Sequence, residues 1–164
     1  MMTYYCQHSY GMLVLSQNKG VFSMSLNAYI RFNGNCRQAV EYYAEVFSCQ
    51  KPNIMTFGQF HNESDFPMSE EIKNQVMHTF LNINGHDIMF SDIPPGMPIT
   101  QGDNFSLAYS TKDKDEIARI FNRLKDDGGP VYVELQETFW SDCYGSITDI
   151  FGINWQFTHD SMKA

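Results

Sequence analysis

Two helix starts in this chain share one chemical pattern, and this repetition limits the possible folds more than any other feature. Asn35 with Gln38, and Asp113 with Glu116, each fit a capping box, in which a short polar side chain and a longer one three residues later satisfy free helix amides. Apolar residues then recur at matching helical positions, namely Ala39, Val40, Tyr43 and Val46 in the first helix and Ile117, Ala118, Phe121 and Leu124 in the second. The sequence therefore predicts a duplicated module.

The first module is predicted to have the order βαβββ. Apolar and polar residues alternate before the first helix, as in a strand with one face on a core. Asn84-Gly85 is typical of a tight hairpin turn. The predicted elements are a strand at 26–32, a helix at about 36–47, and strands at 54–60, 76–83 and 88–91.

The second module repeats this order after a linker rich in proline and glycine. Gly128-Gly129 is predicted to end its helix. Aligning Gly85 with Gly152 gives hairpin strands of equal length in the two modules and pairs His78 with Gly145. The predicted elements are a strand at 105–109, a helix at about 114–126, and strands at 130–136, 146–149 and 154–158.

The length of 164 residues, 43% of them hydrophobic, suits one domain with a substantial core. The polar, acidic segment 61–75 is either a lid or a solvated surface loop. We predict an N-terminal extension at 1–24 outside the core and one domain at 25–160, divided into module one (26–92), a linker (93–103) and module two (104–158).

The net charge of −8 predicts repulsion from phosphate backbones and anionic membrane surfaces, which argues against a nucleic-acid or membrane partner. No apolar run has the length of a bilayer span. The four cysteines have no zinc-site spacing, and a helix between Cys36 and Cys49 would hold them too far apart for a disulfide. These features favour a cytoplasmic protein with reduced thiols.

Four motifs together resemble the PhnB-like family of the vicinal oxygen chelate superfamily, which contains glyoxalases, bleomycin-resistance proteins and extradiol dioxygenases. They are residues 32–36, Ser91-Asp92 with Pro95-Gly96, residues 135–140, and the run from Asp149 to Trp155. The resemblance covers about 26–157. It implies an α+β fold, in which two paired βαβββ modules form a curved mixed sheet around a cleft with the helices outside, and it implies a homodimer.

The resemblance also implies four inward strand positions at which many relatives hold a divalent metal ion. Strand alternation places these positions at about Asn27, Met89, Ser106 and Gln156. None is His, Asp or Glu, and Gln156 has the shape of the usual glutamate without its charge. Hard or borderline divalent ions need anionic oxygens or imidazole. We therefore expect no catalytic metal and no other cofactor.

His78 is the candidate for a catalytic role, because it opens the strand that leads into the first hairpin and could reach the cleft. Alternatively it is a strand-end histidine bonded to backbone. Asp87 either lies beside it on the cleft face or is an exposed turn carboxylate.

Three further residues are predicted to contact a ligand. Arg31 would suit a carboxylate or phosphonate, or would pair with Glu134 instead. Gln136 and Trp140 belong to one family motif, and Trp140 offers a flat platform for a planar ligand unless it packs in the core.

The sequence favours a small-molecule-binding protein of the glyoxalase and bleomycin-resistance type that lacks the usual metal. One alternative is a metal-dependent lyase or dioxygenase, and another is an interaction module whose dimer surface is its function. Methyl transfer finds no support, because the chain has no glycine-rich strand-to-helix turn for a nucleotide-like cofactor. Whether the protein is an enzyme stays open.

Overall fold

The computed structural model describes residues 26–60, 67–94 and 96–161. The predicted N-terminal extension and the first part of the 61–75 segment lie outside these residues. Module one contains β1 (Tyr29–Phe32), α1 (Cys36–Val46), β2 (Met55–Thr56), α2 (Phe57–Phe60), α3 (Glu70–Asn74), β3 (Val76–Ile83) and β4 (His86–Asp92). Module two contains β5 (Leu107–Thr111), α4 (Lys114–Asp126), β6 (Val131–Gln136), β7 (Tyr144–Thr148) and β8 (Asn154–His159).

Each module forms one four-stranded mixed sheet. The strand order is β1-β4-β3-β2 in module one and β5-β8-β7-β6 in module two. In both sheets the first and last strands of the module pair in parallel, and the other pairs are antiparallel. The long helices α1 and α4 pack on one face of these sheets. The predicted α+β fold of two βαβββ modules is confirmed.

Helix α4 begins and ends where the sequence predicts. The Asp113 carboxylate accepts hydrogen bonds from the amides of Asp115 (2.9 Å) and Glu116 (3.1 Å). Gly128 adopts a φ of 104°, which allows the chain to leave the helix. The reciprocal half of the predicted capping box is wrong, because the Asp113 amide donates to the Thr111 hydroxyl.

Helix α1 is capped differently, and the predicted Asn35 cap is wrong. The Asn35 side chain accepts no capping hydrogen bond. The carboxylate of Asp92, at the end of β4, accepts instead from the amides of Gly34 (2.9 Å) and Cys36 (3.0 Å), and also from Val76 (2.8 Å). The parallel pairing of β1 with β4 brings Asp92 beside the start of the helix. A distant residue thus replaces the local cap.

The strand predicted at 54–60 is also wrong over most of its length. Only Met55 and Thr56 pair with β3, and a register shift lies between them. The chain then turns into α2, whose Gly58 lies so close to α3 that an added Cβ would be 2.9 Å from Lys73 Cβ. This close packing of two short helices replaces the extended conformation. Helix α3 itself lies in the segment predicted as an irregular loop.

The first strand of each module begins later than the alternation predicts. Leu26 is fully exposed and Phe105 is 58% exposed, since both precede the paired part of their strands. Farther along, Ile30 and Phe32 are buried under the helices. The alternation therefore identified the buried face correctly but not the strand limits.

A buried carboxylate joins the two modules. Asp149 is 2% exposed and accepts four hydrogen bonds, from Tyr43 Oη of α1 (2.7 Å), Trp155 Nε1 (2.8 Å), and the amides of Phe151 (2.8 Å) and Ile153 (3.0 Å). Because Tyr43 belongs to module one and the other four residues to module two, the modules share one core.

The outer helices are tied to each other as well. Arg119 Nη1 of α4 donates to the carbonyl of Val46 at the end of α1 (2.9 Å). Tyr42 Oη of α1 donates to Asp127 Oδ2 after α4 (2.8 Å). Burial, followed by this hydrogen bond, raises the pKa of Tyr42. Each helix thus holds the other at its C-terminal end.

No helix in the described ranges is both long enough and apolar enough to cross a membrane. The thiols of Cys36, Cys49 and Cys143 are free, as the spacing argument predicts for the first two. Burial raises the pKa of all three thiols, most strongly that of Cys36.

Candidate functional site

The faces of the two sheets that lie opposite α1 and α4 are called here the open face. This face carries most of the predicted ligand-binding residues. In β1, Tyr29 and Arg31 are exposed on this face while Ile30 and Phe32 are buried on the other. In β8, Gln156 is partly exposed between buried Trp155 and Phe157. Strand alternation therefore separates a polar surface from the shared core.

The strand registers identify which positions of the two modules correspond. Phe80 lies opposite Met89 in module one, and Ser146 lies opposite Gln156 in module two. His78 and Tyr144 each lie two residues before those partners, on the same strand face. The counterpart of His78 is therefore Tyr144.

The predicted pairing of His78 with Gly145 is wrong because the two hairpin turns differ in length. The first turn has the two residues Asn84 and Gly85 between paired Ile83 and His86. In the second, the Asp149 amide bonds to the Ile153 carbonyl (2.9 Å), which leaves residues 150–152 in the turn. One extra residue shifts the register by one and moves each aligned side chain to the other face.

In module two, the open face holds a connected row of neutral side chains. Gln156 Nε2 donates to Ser106 Oγ (2.6 Å), and Tyr144 Oη donates to Gln156 Oε1 (3.2 Å). The ring of Trp140 meets the ring of Tyr144 edge to face, with centroids 5.5 Å apart. We call these four residues the Gln156 row. Both polar ends of the Gln156 amide are engaged, so its orientation is fixed by its neighbours.

Sequence reasoning missed Tyr144, because the strand was predicted to begin at Ser146. The alternation of Tyr144, Ser146 and Thr148 was the signal that could have identified it. Next to this row, Phe139 and Trp140 form an exposed aromatic pair with centroids 4.5 Å apart. Gln136 is exposed at the end of β6, opposite Tyr144.

In module one, the corresponding region contains a different pair. Tyr29 Oη lies 3.4 Å from His78 Nδ1, and the Tyr29 backbone is paired with Met89. The prediction that Asp87 could lie beside His78 is wrong, since Asp87 accepts from Asn82 at the hairpin end of the sheet (2.7 Å). A phenol, and not a carboxylate, is the polar partner of His78.

Arg31 does not pair with Glu134, which was one of its two predicted roles. Glu134 forms an ion pair with Lys125 instead (2.6 Å). Arg31 lines a cavity of about 220 Å³ with Gln101 and Asn154, and among the described residues its side chain has no hydrogen-bond or ion-pair partner. Its guanidinium is available to an anionic group.

The four predicted metal positions do not make a suitable set of ligands. Ser106 and Gln156 bond to each other, while Asn27 lines a separate cavity of about 310 Å³ beside β4 and β5. Met89 offers only a thioether, which hard and borderline divalent ions bind weakly. Within residues 26–60, 67–94 and 96–161, no three His, Cys, Asp or Glu residues come together as a metal site would require. The residues present do not fit a divalent ion.

Comparison with known proteins identifies relatives of this chain in sequence and in structure. The model of the family described as 3-demethylubiquinone-9 3-methyltransferase matches residues 25–158. Protein YjdN of Escherichia coli K12 is 30% identical over 139 residues, which cover 80% of this chain and 92% of that protein.

Two solved structures extend the comparison. Protein PA1353 from Pseudomonas aeruginosa is 31% identical, with a TM-score of 0.70 and coverage of 84% of this chain and 98% of that one. A putative 3-demethylubiquinone-9 3-methyltransferase, PhnB protein, from Bacillus cereus is 21% identical, with a TM-score of 0.58 and coverage of 82% and 98%, and shows the same fold.

Proposed function

We propose that this chain, which belongs to the family described as 3-demethylubiquinone-9 3-methyltransferase, binds a small organic molecule on its open face without a divalent metal ion, in line with its resemblance to PhnB-like proteins of the vicinal oxygen chelate superfamily. The proposed contact residues are Arg31, Met89, Ser106, Gln136, Trp140 and Gln156, together with Asn27 in the separate cavity beside β4 and β5. Such a protein would capture its ligand by shape and hydrogen bonding.

The Gln156 row is the observation that supports this proposal most directly. Its hydroxyl, amide and phenol groups already satisfy one another, so a divalent ion at Gln156 would have to break the bonds to Ser106 and Tyr144. Trp140 is 49% exposed at the end of the row and offers an aromatic edge and face to a ligand. An organic molecule can use these neutral groups as they stand.

The proposal does not include methyl transfer, despite the name of the family. The described part of the chain has two four-stranded mixed sheets, in which only β1 with β4 and β5 with β8 run parallel. A dinucleotide-like cofactor is usually held at the switch point of a doubly wound parallel sheet. This architecture supplies no such point within the described residues.

A ligand screen by thermal shift, followed by calorimetry, tests the proposed site. We expect the hits to lose at least about tenfold in affinity, equivalent to about 1.4 kcal/mol, in Trp140→Ala and in Gln156→Ala. Phe60→Ala serves as a matched control, because Phe60 is an exposed aromatic residue on helix α2 of the other module. Hits that bind all three variants equally would place the site elsewhere.

An enzyme is the second candidate, and the Tyr29–His78 pair is the observation in its favour. An imidazole within hydrogen-bond reach of a phenol can exchange protons with a bound substrate. In the metal-dependent form of this candidate, a lyase or dioxygenase, chelator-treated protein should bind manganese, nickel, zinc or iron(II) with micromolar affinity. If calorimetry detects such binding and the binding is lost in Gln156→Ala, the metal-free proposal is wrong and the metal-dependent enzyme takes its place.

A homodimer is the proposed assembly, following the resemblance to the superfamily. Light scattering coupled to gel filtration should give twice the mass of 18.9 kDa. A monomer at micromolar concentration would contradict the proposed homodimer. It would also contradict the hypothesis that the dimer surface is the function of the protein.

A further inference from the structure

We infer that the ligand of the open face is a zwitterion, whose anionic group lies at Arg31 and whose cationic group lies at Asp103. The inference rests on the proposed binding function and adds the chemical class of the ligand. Its basis is two unpartnered charges of opposite sign in one groove, with Arg31 in the first depression and Asp103 where the second and third depressions meet.

The groove consists of three adjoining depressions that share lining residues. Arg31 lines the first depression, of about 220 Å³. The second, of about 430 Å³, shares Gln101 and Asn154 with the first and adds Asp103. The third, of about 240 Å³, shares Asp103 and Asn154 with the second and reaches Gln156. A molecule lying along the groove therefore meets both charges and the Gln156 row.

Neither charge is neutralised by another described residue. The side chains of Arg31 and Asp103 form no hydrogen bond or ion pair within the described ranges. Glu134, the charged neighbour on β6, pairs with Lys125. The two charges also do not pair with each other across the groove, so both remain available to a ligand.

The cationic end has aromatic support as well as charge. Tyr132 is 67% exposed and lines the second and third depressions together with Asp103. A carboxylate beside an exposed phenol ring suits an ammonium group, which is attracted to both. Ser146 and Gln156 line the third depression together with Asp103 and offer further oxygen acceptors.

The centre of the groove holds a fixed amide. Asn154 Nδ2 donates to the Phe105 carbonyl (3.3 Å), and its Oδ1 bonds to Thr148 Oγ1 (2.5 Å). Because this amide is uncharged and both its ends are already bonded, Asn154 does not offset the charge of Arg31 or Asp103. The groove therefore leaves the binding of charged groups to these two side chains.

Calorimetry with a series of ω-amino acids of increasing chain length, each compared with its n-alkylamine and its n-alkanoate, tests the inference. At the best length, the amino acid should bind at least tenfold more tightly than either singly charged analogue. Arg31→Gln should reduce its affinity to that of the amine, and Asp103→Asn to that of the alkanoate. Arg37→Gln and Asp126→Asn make the same charge changes on the outer helices and should leave its affinity unchanged.

Three outcomes separate this inference from the proposed function. If screened ligands depend on Trp140 and Gln156 but bind Arg31→Gln and Asp103→Asn as tightly as the wild type, the zwitterion assignment is wrong and the binding site stands. If ω-amino acids bind no better than their singly charged analogues at any length, the assignment is also wrong. If a zwitterion binds equally well to Trp140→Ala and Gln156→Ala, Arg31 and Asp103 remain assigned to the site, and the proposed role of the Gln156 row is wrong.

Discussion

The two modules share strand order and pairing but present different chemistry on the open face. In module one, Tyr29 of the first strand reaches His78 of the third. In module two, Tyr144 occupies the position that corresponds to His78, and its phenol reaches Gln156 of the last strand. The comparison shows that a repeated backbone can hold a tyrosine–histidine pair in one copy and a row of serine, glutamine, tyrosine and tryptophan in the other.

The buried carboxylates of the modules also differ in what they hold together. Asp92 joins elements of module one alone, since its three partners are the amides of Gly34, Cys36 and Val76. Asp149 receives a hydrogen bond from Tyr43 of the other module. One carboxylate therefore organises a module, and the other organises the junction.

Asp149→Ala should cause the largest loss of stability, because it breaks the junction. The substitution leaves the buried Tyr43 hydroxyl and Trp155 indole and two partly buried backbone amides without their acceptor, and each buried group costs about 1–3 kcal/mol. We expect the free energy of unfolding in urea to fall by about 4 kcal/mol or more. Exposed Asp160→Ala is the control. A loss below about 1 kcal/mol would show that the junction does not depend on Asp149.

Asp92→Ala should cost about 3 kcal/mol, because it removes the remote cap of α1 and leaves three amides without an acceptor. Asp113→Ala, which removes the exposed local cap of α4, should cost about 1 kcal/mol. Asn35→Ala should change stability by less than about 0.5 kcal/mol. Urea unfolding of the three variants compares the helix starts, and a large effect at Asn35 would restore the predicted local cap.

Gly145→Ala tests the register that makes Tyr144 the counterpart of His78 in module two. In this register Gly145 faces the core, where an added Cβ would lie 2.7 Å from Leu135 Cδ2 and 2.9 Å from the Phe121 ring. Overpacking of this kind costs about 1–3 kcal/mol. The adjacent residue Ser146 faces the groove, so Ser146→Ala should change stability by less than about 0.5 kcal/mol. Thermal unfolding that ranks the two variants in the opposite order would reject the register.

Alkaline unfolding should distinguish two buried tyrosines, one from each module. Burial, followed by the charge of Asp149, raises the pKa of Tyr43 well above its ordinary value of 10, and burial with nearby Glu116 raises the pKa of Tyr109 to about 12. The unfolded chain releases these protons above about pH 10 while the folded protein keeps them, so the contribution of these tyrosines to stability is constant below about pH 10 and falls above it.

For Tyr43 the loss approaches about 1.4 kcal/mol per pH unit. Tyr43→Phe should reduce the slope of stability against pH above pH 10, measured by urea unfolding at a series of pH values. For Tyr109 the decline should end near pH 12. An unchanged slope in Tyr43→Phe would mean that this phenol ionises in the folded protein as readily as in the unfolded chain.

The sequence predicted the parts of the fold that depend on neighbouring residues. The limits of α4 follow from Asp113 and Gly128, which act within a few residues of the helix ends, and both were identified. The cap of α1 depends on Asp92, which comes close only through the parallel pairing of β1 with β4. Local pattern could not distinguish a helix start with its own cap from one capped by a distant strand.

The candidate site was predicted unevenly for a related reason. Alternation placed Arg31, Met89 and Gln156 on the open face, because it depends only on the strand period. The position of Tyr144 depends on the number of residues in the second hairpin turn, and an alignment anchored on Gly152 hides one extra residue there. Which side chains lie next to each other across a sheet depends on the register, and the pairing between strands sets that register.

The bonds between the outer helices have a consequence for how a ligand enters. Arg119 holds the end of α1, and Tyr42 holds the end of α4, so a hinge motion that opened one half of the sheet against the other would have to break both contacts. The shared core beneath them would have to separate as well. The proposed ligand should therefore enter by side-chain rotation and loop movement, and selection among molecules should depend on their length and outline.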